Sequence, residues 1–84
     1  MDTARVTAEA LVRVTGRPRE DCSRRGALLE RDLGVDSLPL LELVETLQGR
    51  LVIVVPDEAT ARIRTVADLQ DAVVQLMGSA APLL

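Results

Sequence analysis

Apolar positions in the first part of the chain fall at helical spacing. Thr7, Ala10, Leu11 and Val14 recur at i, i+3, i+4 and i+7 beside Val6, which predicts a helix from Thr3 to Thr15. Asp2 or Thr3 suits its cap, and Gly16 followed by Pro18 suits its end. From Gly16 to Gly34 no period persists, so a connection of about 20 residues is expected, and one that long needs anchors. Its apolar residues Cys22, Leu28, Leu29 and Leu33 are expected to dip into the core. A second helix opens at Asp36-Ser37-Leu38-Pro39 and runs to about Gln48 or Arg50. Asp36 can accept from the free amides of its first turn, and Pro39 is tolerated there because those N–H groups have no intrahelical acceptor. At 100° per residue, Leu40, Leu43, Val44, Leu47 and Leu51 gather on one side. Leu38, Leu41, Glu42 and Glu45 gather on nearly the opposite side.

The run Leu51-Val52-Ile53-Val54-Val55 has the propensity of a strand but no partner strand. It reads as an extended connector with Leu51, Ile53 and Val55 inward and Val52 and Val54 partly exposed. Pro56-Asp57-Glu58 then begins a short helix to about Arg62. Thr65 and Asp68 form a capping-box pattern ahead of a last helix whose stripe is Val66, Leu69, Val73, Leu76 and Met77, with Gly78 as its stop. These elements predict an all-α domain: a small four-helix bundle of three main helices plus one short helix, with a long first loop. It would occupy residues 1–78, leaving 79–84 as a flexible C-terminal tail.

Composition narrows the chemistry. Among 84 residues there is no Phe, Tyr or Trp, so the core must be built from Leu, Val, Ala and Ile alone. There is no His, which removes the usual neutral-pH base and the commonest nitrogen ligand for metals; neither catalysis nor a metal site is expected. The single Cys22 has no partner for an internal disulfide and reads as a small buried hydrophobe. No apolar run approaches the roughly 20 residues that span a bilayer. A cytoplasmic monomer without membrane insertion is the expectation.

All ten cations are Arg against thirteen carboxylates, for a net charge of −3. The arginines concentrate before Glu30 and the acids after it. The acidic remainder repels phosphate backbones, so no nucleic-acid binding is expected, and a basic protein partner is the better match.

The segment Asp32-Leu33-Gly34-Val35-Asp36-Ser37-Leu38, then Glu42-Leu43-Val44, Val55-Pro56-Asp57-Glu58 and Ile63-Arg64-Thr65-Val66, resembles the acyl carrier protein family in order and spacing. The resemblance runs from about Leu33 to the end of the last helix and more loosely over the first. It implies that Ser37, with Asp36 as its motif neighbour, receives a covalent 4′-phosphopantetheine arm from coenzyme A. It implies partners: a phosphopantetheinyl transferase, and acyl-transferring and ketosynthase-type enzymes. It also implies docking through the outward face of the second helix, Leu38, Leu41, Glu42 and Glu45, with Val55, Asp57 and Glu58 nearby. The residues agree with a passive serine, since an unassisted hydroxyl is a poor nucleophile and no His is present to activate it.

Departures from the general fatty-acid carriers are visible. Gln48-Gly49-Arg50 stands where acids are usual, Pro39 follows the motif where an acid is common, and Val52 and Val54 replace polar residues. Leu29 and Leu51 stand at places that often hold Phe. These point toward a dedicated carrier of polyketide or antibiotic biosynthesis, and the short tail toward a free-standing one. An aminoacyl or peptidyl carrier is the alternative within the family type, and Asp36 argues against it. An unmodified helical interaction module is the alternative outside it.

Overall fold

The computed structural model describes residues 2–79. They form six helices: α1 (Thr3–Thr15), α2 (Arg19–Cys22), α3 (Leu29–Leu33), α4 (Ser37–Leu51), α5 (Asp57–Arg62) and α6 (Val66–Ser79). The all-α bundle is as expected, with α1, α4 and α6 as its three long members. The connection between α1 and α4 is not irregular throughout: it folds into the short helices α2 and α3. Neither is long enough to show a period in sequence.

Local chemistry sets the ends of α1. Asp2 Oδ1 accepts from the Arg5 N–H at 3.1 Å, and Gly16 turns left-handed (φ 71°) so that its N–H reaches Val12 O at 2.8 Å. Helix α1 packs on both α4 and α6. The core between them is wholly aliphatic, with Leu11, Leu43, Leu47, Val66, Leu69 and Val73 almost entirely removed from water. Each such side chain contributes about 1.5–3 kcal/mol of burial. Thr7 is buried beside them at no polar cost, because its hydroxyl donates to Thr3 O at 2.6 Å. Cys22 is fully buried, as expected of a small hydrophobe.

A backbone clamp ties the long connection to the start of α6. Leu29 N–H donates to Arg64 O at 2.9 Å, Val66 N–H to Ala27 O at 3.0 Å and Ala67 N–H to Arg25 O at 2.9 Å, around a bridge between Leu28 and Thr65. Arg25 extends the tie, reaching Gln70 Oε1 at 2.7 Å and Asp71 at 3.3 Å. Of the four expected anchors, Cys22, Leu29 and Leu33 are buried. Leu28 is not: it is 36% exposed, because the bridge fixes its backbone with the side chain directed outward.

The capping box of α6 forms as expected, with Asp68 N–H donating to Thr65 Oγ1 at 3.0 Å and Asp68 Oδ2 accepting from Thr65 N–H at 3.2 Å. Asp68 also accepts from Arg64 N–H at 3.1 Å. Gly78 does not stop this helix: it lacks the left-handed φ of a terminating glycine, and α6 includes both it and Ser79. The rest of the expected tail, residues 80–84, lies outside the described residues. The expected extended connector does not begin at Leu51, which is the last residue of α4; Leu51, Ile53 and Val55 point inward as expected, while Val52 and Val54 are more than partly exposed, at 86% and 76%. Val52 ends α4 in the left-handed region, φ 52° and ψ 49°, the one non-glycine residue with positive φ among the described residues.

Candidate functional site

Gly34 ends α3 in the left-handed conformation (φ 71°), a turn that a side chain would strain, and it redirects the chain through Val35 into α4. Val35 is buried and roots the turn in the core. Asp36 and Ser37 follow, both exposed, and Ser37 is the first residue of α4. The expected side-chain cap by Asp36 is absent: its carboxylate makes no bond to the first turn. What holds the start is the backbone, with Leu40 N–H donating to Asp36 O at 2.9 Å. Pro39 has no N–H, so the free donors of this turn are the amides of Ser37 and Leu38. The Ser37 hydroxyl therefore stands in solvent at the positive end of a 15-residue helix, a place that favours an attached anion.

Beside Ser37 lies an open groove of about 640 Å³. Its lining combines apolar Leu28, Leu40 and the buried Ile63 with Arg31 and Arg64, and Glu30 and Asp36 contribute the opposite charge. Of these only Asp36 was expected at the site: Leu28 and Leu40 were expected in the core, and Ile63 and Arg64 stood only in the motif that carries the family resemblance. Arg31 comes from α3 and Arg64 from the α5–α6 turn, and only the clamp between Leu28 and Thr65 brings those segments together. No periodicity signals such a long-range contact.

The outward face of α4 is exposed as expected. Leu38 is 67% and Leu41 55% exposed, with Glu42 and Glu45 beside them, and Asp57 and Glu58 are exposed on α5. Among the described residues none of these four carboxylates is in an ion pair. Val55 does not join this surface. It is 8% exposed, its side chain faces the core, and its N–H is held by Gln48 Oε1 at 2.9 Å. The ion pairs lie elsewhere: Glu9 meets Arg50 at 3.0 Å, Arg5 at 3.4 Å and Arg19 at 3.8 Å, Asp21 meets Arg24 at 3.9 Å and Asp71 meets Arg25 at 3.3 Å. The bond from Arg50, aided by Arg5, holds the Glu9 carboxyl below its ordinary range.

The site is an exposed serine opening the long helix of an all-α bundle, with the Asp36 and Glu30 carboxylates at the same groove. The family model for the phosphopantetheine attachment site matches residues 5–73, and the chain belongs to that family. No curated protein matches the chain closely enough to count as a relative. The chain is thus a phosphopantetheine carrier protein: such domains are not catalytic themselves and hold intermediates on a covalent 4′-phosphopantetheine group for partner enzymes. Carriers of this kind work with a phosphopantetheinyl transferase and with biosynthetic enzymes. Among the described residues no helix is long and apolar enough to cross a membrane, and no group of acidic or Cys side chains could hold a metal.

Proposed function

We propose that Ser37 is the attachment point of the arm and that the chain is an acyl carrier of polyketide or fatty-acid-type biosynthesis. The observation that carries the assignment is the exposed Ser37 hydroxyl at the amino end of α4, beside the groove and two unsatisfied first-turn amides. In the modification step the Ser37 oxygen attacks a phosphorus of the coenzyme A pyrophosphate. An O–P bond forms, and the bond to the adenosine bisphosphate half breaks and that half departs. The serine proton goes to a base of the transferase, because this chain has no His or Lys. Once bound, the arm supplies a terminal thiol that holds acyl groups as thioesters.

The chain's own contribution is recognition. Leu38 and Leu41 offer apolar contacts, and Glu42, Glu45, Asp57 and Glu58 offer unpaired negative charge to Arg and Lys on the partner, which raises association rates. A polyketide-type role is supported by Gln48-Gly49-Arg50 and by the exposed Val52 and Val54, which dilute the acidic charge at the end of α4. Asp36, ahead of the serine, supports an acyl over a peptidyl cargo.

The test is intact-protein mass spectrometry after incubation with coenzyme A and a carrier-protein transferase. One phosphopantetheinyl increment on the parent chain and none on Ser37→Ala is the expected pair of results. An unmodified parent, or an equal gain by Ser37→Ala, refutes the assignment.

A further inference from the structure

At the far end of α4 from Ser37, Val52 holds φ 52° and ψ 49°, a left-handed conformation that suits Gly or Asn and least suits a β-branched residue. Its side chain is 86% exposed, so the core gains nothing from it in return. A strained residue whose side chain does not serve the fold points to a use at the surface. Val54 is exposed beside it in the chain, and neither valine is exposed through looseness. Ile53 and Val55, which alternate with them, are buried, and Val55 N–H is held by Gln48 Oε1 at 2.9 Å. Leu38, Leu41, Glu45, Gln48 and Val52 are spaced by three and four, which lines them up along one side of α4, and the Gln48 bond draws the connector back toward that side. Carboxylates flank the valines in the chain, Glu42 and Glu45 before them and Asp57 and Glu58 after, and among the described residues none of the four is in an ion pair, whereas the nearer Arg50 is engaged by Glu9. The complementary surface is an apolar depression bordered by Arg or Lys.

We propose that Val52 and Val54 form an apolar foot that docks the phosphopantetheinyl transferase, received by such a depression on that enzyme. The inference rests on the assignment of Ser37. The transferase is the partner that meets the bare chain. Later enzymes also grip the arm and its cargo, whereas this one has only the carrier's own surface to recognise. A 15-residue helix such as α4 spans about 22 Å. An interface of roughly 800 Å² per partner is wide enough to reach from Ser37 at one end to Val52 at the other. Leu38 and Leu41 at the serine end and the two valines at the far end then hold the helix at two apolar points. Two points fix the direction in which α4 lies across the enzyme, and with it the approach of the Ser37 hydroxyl, while the acids between them steer the encounter.

The experiment measures kcat and KM for modification of each chain by a carrier-protein transferase with coenzyme A, followed by intact mass. Val52→Gly relieves the backbone strain and melts no lower than the parent, yet its kcat/KM falls about three- to tenfold, with the loss in KM. Val52→Ser/Val54→Ser, checked for unchanged helical circular dichroism, loses about ten- to thirtyfold. Val74→Ser, which removes a valine exposed on α6, keeps the parent's value. Raising the salt concentration shrinks the effect of Glu45→Arg and leaves that of the valine variants, because an apolar contact is not screened. An unchanged kcat/KM in Val52→Ser/Val54→Ser, an equal loss in Val74→Ser, or a valine effect that salt abolishes overturns the foot and leaves Ser37 as the attachment point. A parent chain that gains no mass refutes the Ser37 assignment and the foot with it.

Discussion

Val52 carries a cost that a single substitution should recover. It ends α4 at φ 52° and ψ 49°, where a side chain crowds the following carbonyl, and a β-branched residue has the least freedom to relieve the crowding. That conformation costs about 1–2 kcal/mol relative to a residue without a Cβ. Val52 is 86% exposed, so truncating it sacrifices little buried surface. Glycine returns about 0.5–1 kcal/mol of the gain as added chain entropy in the unfolded state. Val52→Gly should therefore stabilise the domain by about 0.5–1 kcal/mol, which for a chain of this size raises Tm by about 2–8 °C. Val52→Asn should also stabilise, because Asn tolerates this region, and Val52→Ala should gain less than Val52→Gly. Thermal melts followed by circular dichroism, with urea titrations to confirm an unchanged m-value, provide the readout. A Val52→Gly protein melting at or below the parent would refute the reasoning.

Two other perturbations follow from the same geometry. Backbone N–H groups, Arg64 first and then Thr65, hold the Asp68 carboxyl below its ordinary pKa of 3.8. A depressed carboxyl stabilises the fold above its unfolded pKa and loses that contribution as pH falls through the folded value. The parent should lose stability below about pH 4, and Asp68→Asn should lose less of its own over that range; equal acid sensitivity would show that the cap does not titrate. Glu42→Arg or Glu45→Arg should slow modification or acyl transfer several-fold while leaving the helical signal intact, since both side chains are exposed and unpaired. A lost helical signal would assign them to the fold instead.

The parts of the fold that were legible in sequence are those where a local device operates. Asp2 and Gly16 bound α1, Pro56 opens α5, and Thr65 with Asp68 opens α6. The alternation from Leu51 to Val55 was legible because an inward residue must be apolar, and Ile53 and Val55 are. The elements that were not legible depend on distant segments. Helices α2 and α3 span four and five residues, too short for a stripe, and α3 opens where Leu29 N–H meets Arg64 O. Leu28 looked like core because it is a leucine, and the bridge to Thr65 turned it outward. Asp36 has the chemistry of a cap, yet its backbone sits at φ −90° and ψ −155° and its carboxylate makes no first-turn bond. The position of Ser37 was legible from its motif, while the groove beside it needed three dimensions.

The clamp between the long connection and α6 has a consequence for the conditions under which the domain can exist. Small domains commonly need a cross-link or a metal to offset the entropy of ordering a short chain, and this one holds a single buried thiol that cannot form one internally. Peptide groups at Ala27, Leu29, Val66 and Ala67, with the arginine tie from residue 25, fasten segments remote in sequence in its place. Nothing in that fastening can be reduced or chelated. Dithiothreitol and EDTA should leave the architecture intact, so the thiol delivered by the arm can cycle through its chemistry without any sulfur bridge of the scaffold taking part.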